Sequence, residues 1–321
     1  THLSGEIEYV NAAFERNTGY SRGEVLGKNP RVLQSGQTPD SAYEAMWKAL
    51  HAGQHWDGEV INRRKDGTLT VQSVTIAPVR DPAGVVSRYL SVQLDVTAQR
   101  EAEETAHRLA WFDPLTGLPN RHRLLNELAD TLAADRRQSA HSAIVLINLD
   151  RFKTVNEALG HAAGDALLRQ LTQRLGQLQA PGDMLARLGA DEFALLQHAQ
   201  EQQAAATSAT ALRTAQAVHA ALVAPFALES GETINVTASV GVALLPHDAT
   251  DTPGDVLRRA DTALHRAKAG GGQQSAFFDA AMGQVVSERF ALEQDLRRGL
   301  VDQPSGRDKR PAVRPGRADA A

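Results

Sequence analysis

The run Ala143-Ile144-Val145-Leu146-Ile147 is apolar throughout and passes without a break into Asn148-Leu149-Asp150. A short unbroken apolar run of this kind reads as a strand. Leu168, Leu171, Leu175 and Leu178 then recur at helical spacing. A hairpin follows, Met184–Leu188 and Glu192–Leu196 around Gly189-Ala190-Asp191. An alanine-rich helix (about 200–222), a strand over Ile234–Leu245, a helix carrying Leu257, Ala260, Leu264 and Ala267, and a closing strand Ser275–Phe278 complete the pattern. The order β-α-β-β-α-β is that of a ferredoxin-like sheet.

Residues 1–97 follow a different rhythm. Short β-type runs, Glu6–Val10, Gly58–Ile61, Thr68–Val71 and Tyr89–Val92, are punctuated by the turns Lys65-Asp66-Gly67 and Asp81-Pro82-Ala83-Gly84. One helix, Ser41–His51, carries Ala42, Ala45, Met46 and Ala49. These signals predict a small antiparallel sheet with helices on one side. The fold class is therefore mixed, α+β or α/β, in two domains.

Between them, Ala98, Ala102, Thr105, Leu109 and Phe112 step by 4, 3, 4 and 3, the spacing of a coiled coil. Two readings of 98–112 stay open: one amphipathic connecting helix, or a helical linker that pairs two chains.

Composition excludes several classes. The 321 residues carry no cysteine, which removes disulfide frameworks, thiolate zinc sites and cysteine nucleophiles and suits a reducing cytoplasm. A formal charge of -4 argues against a general grip on nucleic acid. No apolar run approaches the roughly 18 residues that cross a bilayer, so membrane anchoring would need a segment upstream of Thr1. Residues 301–321, with three prolines and two valines, cannot build a core and are expected to be disordered.

Phosphoryl-transfer chemistry needs carboxylates that hold a divalent metal against phosphate oxygens, and a base near the attacking hydroxyl. Two acidic stretches are candidates: the strand end Asn148-Leu149-Asp150 and the hairpin tip Gly189-Ala190-Asp191-Glu192. Acidic turns are also common on solvated surfaces.

Four motifs carry a resemblance. Asp113-Pro114-Leu115-Thr116-Gly117-Leu118-Pro119-Asn120-Arg121 is similar to the opening motif of GGDEF domains, the diguanylate cyclase family. The segment from Phe152-Lys153 through Asn156-Glu157, Gly160-His161 and Gly164-Asp165 resembles that family's nucleotide-binding stretch. Arg187–Phe193 resembles its signature hairpin, here in the degenerate form Gly-Ala-Asp-Glu-Phe. Ala260-Asp261 to Ala267-Lys268 resembles its late helix. The resemblance implies a ferredoxin-like, cyclase-palm sheet over 113–280 that joins two GTP molecules into cyclic di-GMP, one GTP on each of two facing domains. It therefore implies a homodimer. By position, Asn156 and Asp165 would read the guanine edge, Asp191 would bind Mg²⁺ or Mn²⁺, Glu192 would activate the 3′-hydroxyl, and Lys268 would contact phosphate.

The departures predict weakened catalysis. The family's strand-end metal ligand is an aspartate, and Asn148 stands there; Asp150, two residues on, is a possible substitute. A phosphate-binding arginine would fall at Gly272, and the second glycine of the hairpin is Ala190, which would be strained if the turn needs positive φ. The inhibitory product motif lacks its arginine in Ala180-Pro181-Gly182-Asp183.

Residues 1–97 resemble a PAS sensor domain through Tyr9–Phe14, Thr18-Gly19-Tyr20, Glu24–Asn29 and Asn62–Gly67. By likeness to a flavin-binding PAS domain, Asn29, Trp47 and Asn62 would line a flavin pocket, although Pro30 stands where that relative has an acid. The segment begins after most of the first PAS strand would have been placed, so it reads as an N-terminally truncated sensor. Ser287–Arg298, within a connecting helix over 281–300, resembles the joint between GGDEF and EAL phosphodiesterase domains. The sequence thus reads as resembling the front of a PAS–GGDEF–EAL signalling protein, with a frameshift, a premature end or a real loss as the readings of the missing EAL domain. Two functions follow: a cyclase under PAS control, or a catalytically silent GTP-binding and dimerisation module.

Overall fold

The structure, a computed structural model, describes residues 1–199, 203–228 and 231–279; the expected connecting helix at 281–300 and the tail at 301–321 lie outside the described residues. The chain divides into two compact units between Arg108 and Leu109.

The first unit opens with α1 (Ala12–Thr18), α2 (Arg22–Val25), a 3₁₀ turn at Pro30–Leu33 and α3 (Asp40–His51). Asn11 caps α1 by accepting from the Phe14 amide, and Gly19, at φ 75°, closes it. The strands β1 (Trp56–Arg63), β2 (Leu69–Arg80) and β3 (Val86–Asp95) form an antiparallel sheet in the order β1-β2-β3. The Lys65-Asp66-Gly67 turn sets the register: Gly67 takes φ 93°, its amide bonds the Arg64 carbonyl, and Asn62 faces Thr70.

The strand expected at Glu6–Val10 does not form. Ile7 is buried as its alternation implies, but its amide donates to Lys28 and its carbonyl accepts from Gly27, so the segment pairs with the turn after α2 instead of the sheet.

Helix α4 (Thr97–Trp111) spans the division between the units, and none of its residues is buried. Asp95 starts it by accepting from both the amide and the hydroxyl of Thr97.

The second unit contains α5 (Arg121–Gln138), β4 (Ser142–Leu149), α6 (Phe152–Leu159), α7 (His161–Gly176), β5 (Met184–Arg187), β6 (Glu192–Gln197), α8 (Ala204–Val223), β7 (Phe226–Ala227), β8 (Thr233–Ile234), β9 (Ala238–Leu245), α9 (Pro253–Ala269) and β10 (Ser275–Phe277). The main sheet runs β10-β9-β4-β6-β5; only the β10–β9 pair is parallel. Without β10 this is the ferredoxin-like arrangement expected, with one strand added at the edge.

The sheet is buried on both faces. Ala143, Val145 and Ile147 of β4 pack with Leu168, Leu171 and Leu175 of α7. Ile144 and Leu146 pack with Leu124 and Leu128 of α5 and Ala260 and Leu264 of α9. Burying one such leucine contributes about 1.5–3 kcal/mol. Helix α9 lies close on its strand because Gly241 leaves room: a Cβ there would stand 2.3 Å from the Ala260 carbonyl oxygen.

The single strand expected over Ile234–Leu245 is broken. Ile234 belongs to a two-residue hairpin with Phe226, and β9 starts afresh at Ala238. Between them Thr237 is tied to Asp150, its carbonyl accepting from the Asp150 amide and its hydroxyl donating to the Asp150 carboxylate.

Candidate active site

Strand alternation delivers the acidic residues to one place. Ile144 and Leu146 face α5 and α9, so Asn148 continues that face at the strand end. Ala194 and Leu196 face the same way on β6, which puts Glu192 on that face too, directly opposite Asn148 in the antiparallel register. Both are half-buried. Asp191 precedes Glu192 at the tip, where its carbonyl accepts from the Leu149 amide at 3.1 Å and holds the tip against the end of β4. Ala190 does not adopt positive φ, so the methyl at the second glycine position brings no backbone strain. Phe193, on the opposite face, is fully buried core.

The opening motif is fastened to this hairpin. Asp113 Oδ1 accepts from the Arg187 guanidinium at 2.8 Å and from the Thr116 amide and hydroxyl. Burial raises the Asp113 pKa, but the hydrogen bonds from Thr116 and Arg187 outweigh it and hold the carboxyl below its usual range. Arg187 also donates to the Ala190 carbonyl, and its amide donates to Pro119. Asn120 caps α5 through the Arg123 amide and donates its own amide hydrogens to Leu109 and Ala110. Arg121, the first residue of α5, is thereby set beside the hairpin.

Glu192 sits among charges from three elements. Burial raises its pKa above the usual glutamate value, Asp261 and Asp191 push the same way, and Arg121 and Lys268 oppose them. The structure thus brings Asn148, Asp191, Glu192 and Lys268 to one end of the sheet. It adds Arg121 and Asp261, whose motifs the sequence displays but whose approach to Glu192 only the packing of α5 and α9 reveals.

Asn156 lies on α6 where that helix crosses α7. Its Oδ1 is buried with no partner among the described residues, and Gly164 makes the space for it: a Cβ at 164 would stand 2.0 Å from that oxygen. Asp165 follows on α7, half-buried. An unmet acceptor beside a half-buried carboxylate suits the polar edge of a base.

Asp150 is engaged elsewhere. Ser239 donates to its Oδ1 at 2.7 Å, Thr237 to its Oδ2 at 2.7 Å, and the Gln273 amide to its Oδ2 at 3.0 Å. These bonds join β4 to β9 and to the glycine loop after α9. Gly272 in that loop has φ 75°, and a Cβ there would lie 3.3 Å from Asp150 Oδ1. An arginine at this position would meet both the left-handed backbone and the Asp150 carboxylate. Asp183, from the incomplete inhibitory motif, serves its turn by accepting from the Ala180 and His198 amides.

The donor set fits a nucleotide-bound divalent cation. Among the described residues no cluster of three metal-ligating side chains occurs. Mg²⁺, however, is commonly held by one or two carboxylates plus substrate phosphates and water. Asp191 offers one such carboxylate, and no hydrogen bond among the described residues takes it.

In the first unit, Asn29, Trp47 and Asn62 all line one cavity of about 1150 Å³. Asn29 caps the 3₁₀ turn by accepting from the Arg31 amide, and Trp47 stacks on His51 and meets the edge of Tyr89.

Both units match families of known proteins. Residues 110–274 match the family described as diguanylate cyclase, GGDEF domain, and residues 1–98 match a PAS domain. An uncharacterized signaling protein of Caulobacter vibrioides is 33% identical over 308 residues, covering 93% of this chain and 36% of the relative. The diguanylate cyclase TpbB of Pseudomonas aeruginosa is 40% identical over 171 residues, 53% of this chain and 38% of that one. The chain thus spans about a third of the length of these relatives. Among solved structures, the isolated GGDEF domain of that Pseudomonas protein aligns with a TM-score of 0.49 and 35% identity, covering 55% of this chain and 99% of that one.

Proposed function

The chain belongs to the GGDEF family of diguanylate cyclases, with a PAS domain ahead of its cyclase domain, and on that basis we propose that it condenses two GTP molecules into cyclic di-GMP at a reduced rate. The observation that carries this reading is the placement of Glu192 opposite Asn148, with Asp191 beside it and Arg121 and Lys268 close by.

Glu192 is the group proposed to take the 3′-hydroxyl proton as that oxygen bonds to the α-phosphorus of the second GTP and pyrophosphate leaves. Its raised pKa suits a general base, since a stronger base draws the proton better. Repeating the step in the opposite direction closes the ring. Asp191, with phosphate oxygens, would hold Mg²⁺ or Mn²⁺, which neutralises charge on the phosphates. Lys268 and Arg121 supply cations for the triphosphate, and Asn156 and Asp165 read the guanine. Two facing domains are needed, and the exposed α4 helix, with its 4-3-4-3 spacing, supports pairing of two chains.

Asn148 is why the rate is reduced. An amide supplies no charge to a metal, and loss of one preorganised electrostatic contact typically costs roughly 10²–10³ in rate. The three hydrogen bonds on Asp150 support a structural duty for it at the junction of β4, β9 and the glycine loop, in place of the metal role. The same departures favour a second reading, a GTP-binding module that relays a PAS signal without turnover. For the PAS unit, the cavity shared by Asn29, Trp47 and Asn62 supports a flavin as the sensed or bound group. Incubating the chain with GTP and Mg²⁺ or Mn²⁺ and resolving products by chromatography separates the readings: slow cyclic di-GMP formation is expected, and GTP binding without product would establish the silent module.

A further inference from the structure

A smaller cavity of about 270 Å³ lies in the first unit where the end of α1 meets the β1–β2 turn, and it shares no lining residue with the larger one. Arg16, Gly19, Arg64, Lys65 and Asp66 line it, three cations to one carboxylate. The junction is built into the fold. The Lys65 amide donates to the carbonyl of the buried Thr18 at 2.9 Å, and Gly19 follows at φ 75° to close the helix.

The charges of this cavity are only partly met. Lys65 Nζ pairs with Glu24 at 2.5 Å, and Asp66 serves its turn by accepting from the Thr68 amide at 2.9 Å. Arg64 Nη2 pairs with Asp95 at 2.7 Å, but Arg64 Nε is buried without a partner among the described residues. The Arg16 side chain, exposed on the last turn of α1, forms no ion pair among them. A guanidinium cannot shed its charge, and a buried donor left unmet is costly. Such donors around a concavity suit an anion with several acceptor oxygens, which arginine and lysine hold by short charge-assisted hydrogen bonds. The volume lies just below the usual small-molecule range of about 300–1,000 Å³ and suits a compact one.

We propose that Arg16, Arg64 and Lys65 bind a phosphate group, as free phosphate or as the head of a small phosphate ester, with Arg64 shared between that anion and Asp95. The sharing gives the site a consequence. Asp95 Oδ1 accepts from the amide and hydroxyl of Thr97, which start α4, while its Oδ2 holds Arg64. A bound phosphate therefore competes with Asp95 for the guanidinium that steadies the first turn of the linker helix. The site is independent of the GTP chemistry and of any group in the larger cavity.

The test is an NMR titration of the intact chain with inorganic phosphate and with ribose 5-phosphate, following the amides of Gly19, Lys65 and Asp66, beside chloride at equal ionic strength. These amides should shift saturably with the phosphates and not with chloride. Phosphate held near Lys268 in the other unit leaves them unmoved. Arg16→Gln, at an exposed position, should weaken binding about fivefold or more by removing a charge-assisted contact. Asp95→Asn should tighten it about two- to fivefold by releasing Arg64 from its competing carboxylate. A merely basic surface would not respond to Asp95 in this way. Tighter binding of ribose 5-phosphate would assign the site to an ester and equal binding to free phosphate; both uphold it. Equal shifts with chloride, or unchanged affinity in Arg16→Gln, would overturn the site. Unchanged affinity in Asp95→Asn would overturn the sharing of Arg64. If Asp95→Asn does not fold, Glu24→Gln replaces it, since it frees Lys65 and should tighten binding likewise.

Discussion

Asn148 and Glu192 stand opposite each other across the β4–β6 pair, so an amide and a half-buried acid reach the same end of the sheet from adjacent strands. Asn148 itself contributes no charge. The negative charge of the site comes from Asp191, Glu192 and Asp261, and its positive charge from Arg121 and Lys268.

Replacing the acid separates its cost from its use. Because burial raises the Glu192 pKa, the folded state holds that proton more tightly than the unfolded chain does. Stability is therefore lost as the pH rises from the ordinary glutamate value through the raised one, and the full cost is present above it. Glu192→Gln should abolish product formation and raise the melting temperature at neutral pH. That gain should vanish as the pH falls below the ordinary glutamate value of about 4.3. Thermal melts across pH, without nucleotide or metal, measure this.

Arg121 opposes the raised pKa of Glu192. Removing it should move the acid limb of kcat/KM to higher pH, since the base then loses its proton later. A pH–rate profile of Arg121→Ala whose acid limb stays in place would remove Arg121 from the site.

Gly164→Ala should weaken GTP binding about tenfold or more, because the methyl would displace the Asn156 amide that is proposed to pair with guanine. Gly176→Ala, at the end of the same helix and with open space around it, is the control and should bind as the parent does. Calorimetric titration with GTP compares the two.

Restoring an arginine at position 272 should fail. The left-handed backbone there costs a side-chain-bearing residue about 1–2 kcal/mol. The new Cβ would also press on the Asp150 carboxylate. Gly272→Arg and Gly272→Ala should both melt lower, and neither should turn over faster; a faster Gly272→Arg enzyme would show that the loop adapts.

Much of this site is legible in the sequence because its motifs are local. The apolar run of β4, the hairpin tip and the α6–α7 stretch each place a side chain through strand or helix period alone. What escapes is the meeting of distant elements. Asp150 reads as a spare metal ligand, and only the fold shows that Thr237, Ser239 and the Gln273 amide hydrogen-bond both its oxygens. Glu6–Val10 alternates as a strand does, yet its partner is the turn after α2.

The central claim is that a GGDEF-type site persists here with its rate limited by the amide at Asn148. Cyclic di-GMP formation from GTP and Mg²⁺, measured for the parent chain and for Asn148→Asp at matched GTP occupancy, tests it most directly. The account predicts slow turnover in the parent, a rise of roughly 10²–10³ in the variant, and loss of that gain on adding Glu192→Gln. A folded, GTP-binding Asn148→Asp protein that turns over no faster than its parent would contradict it.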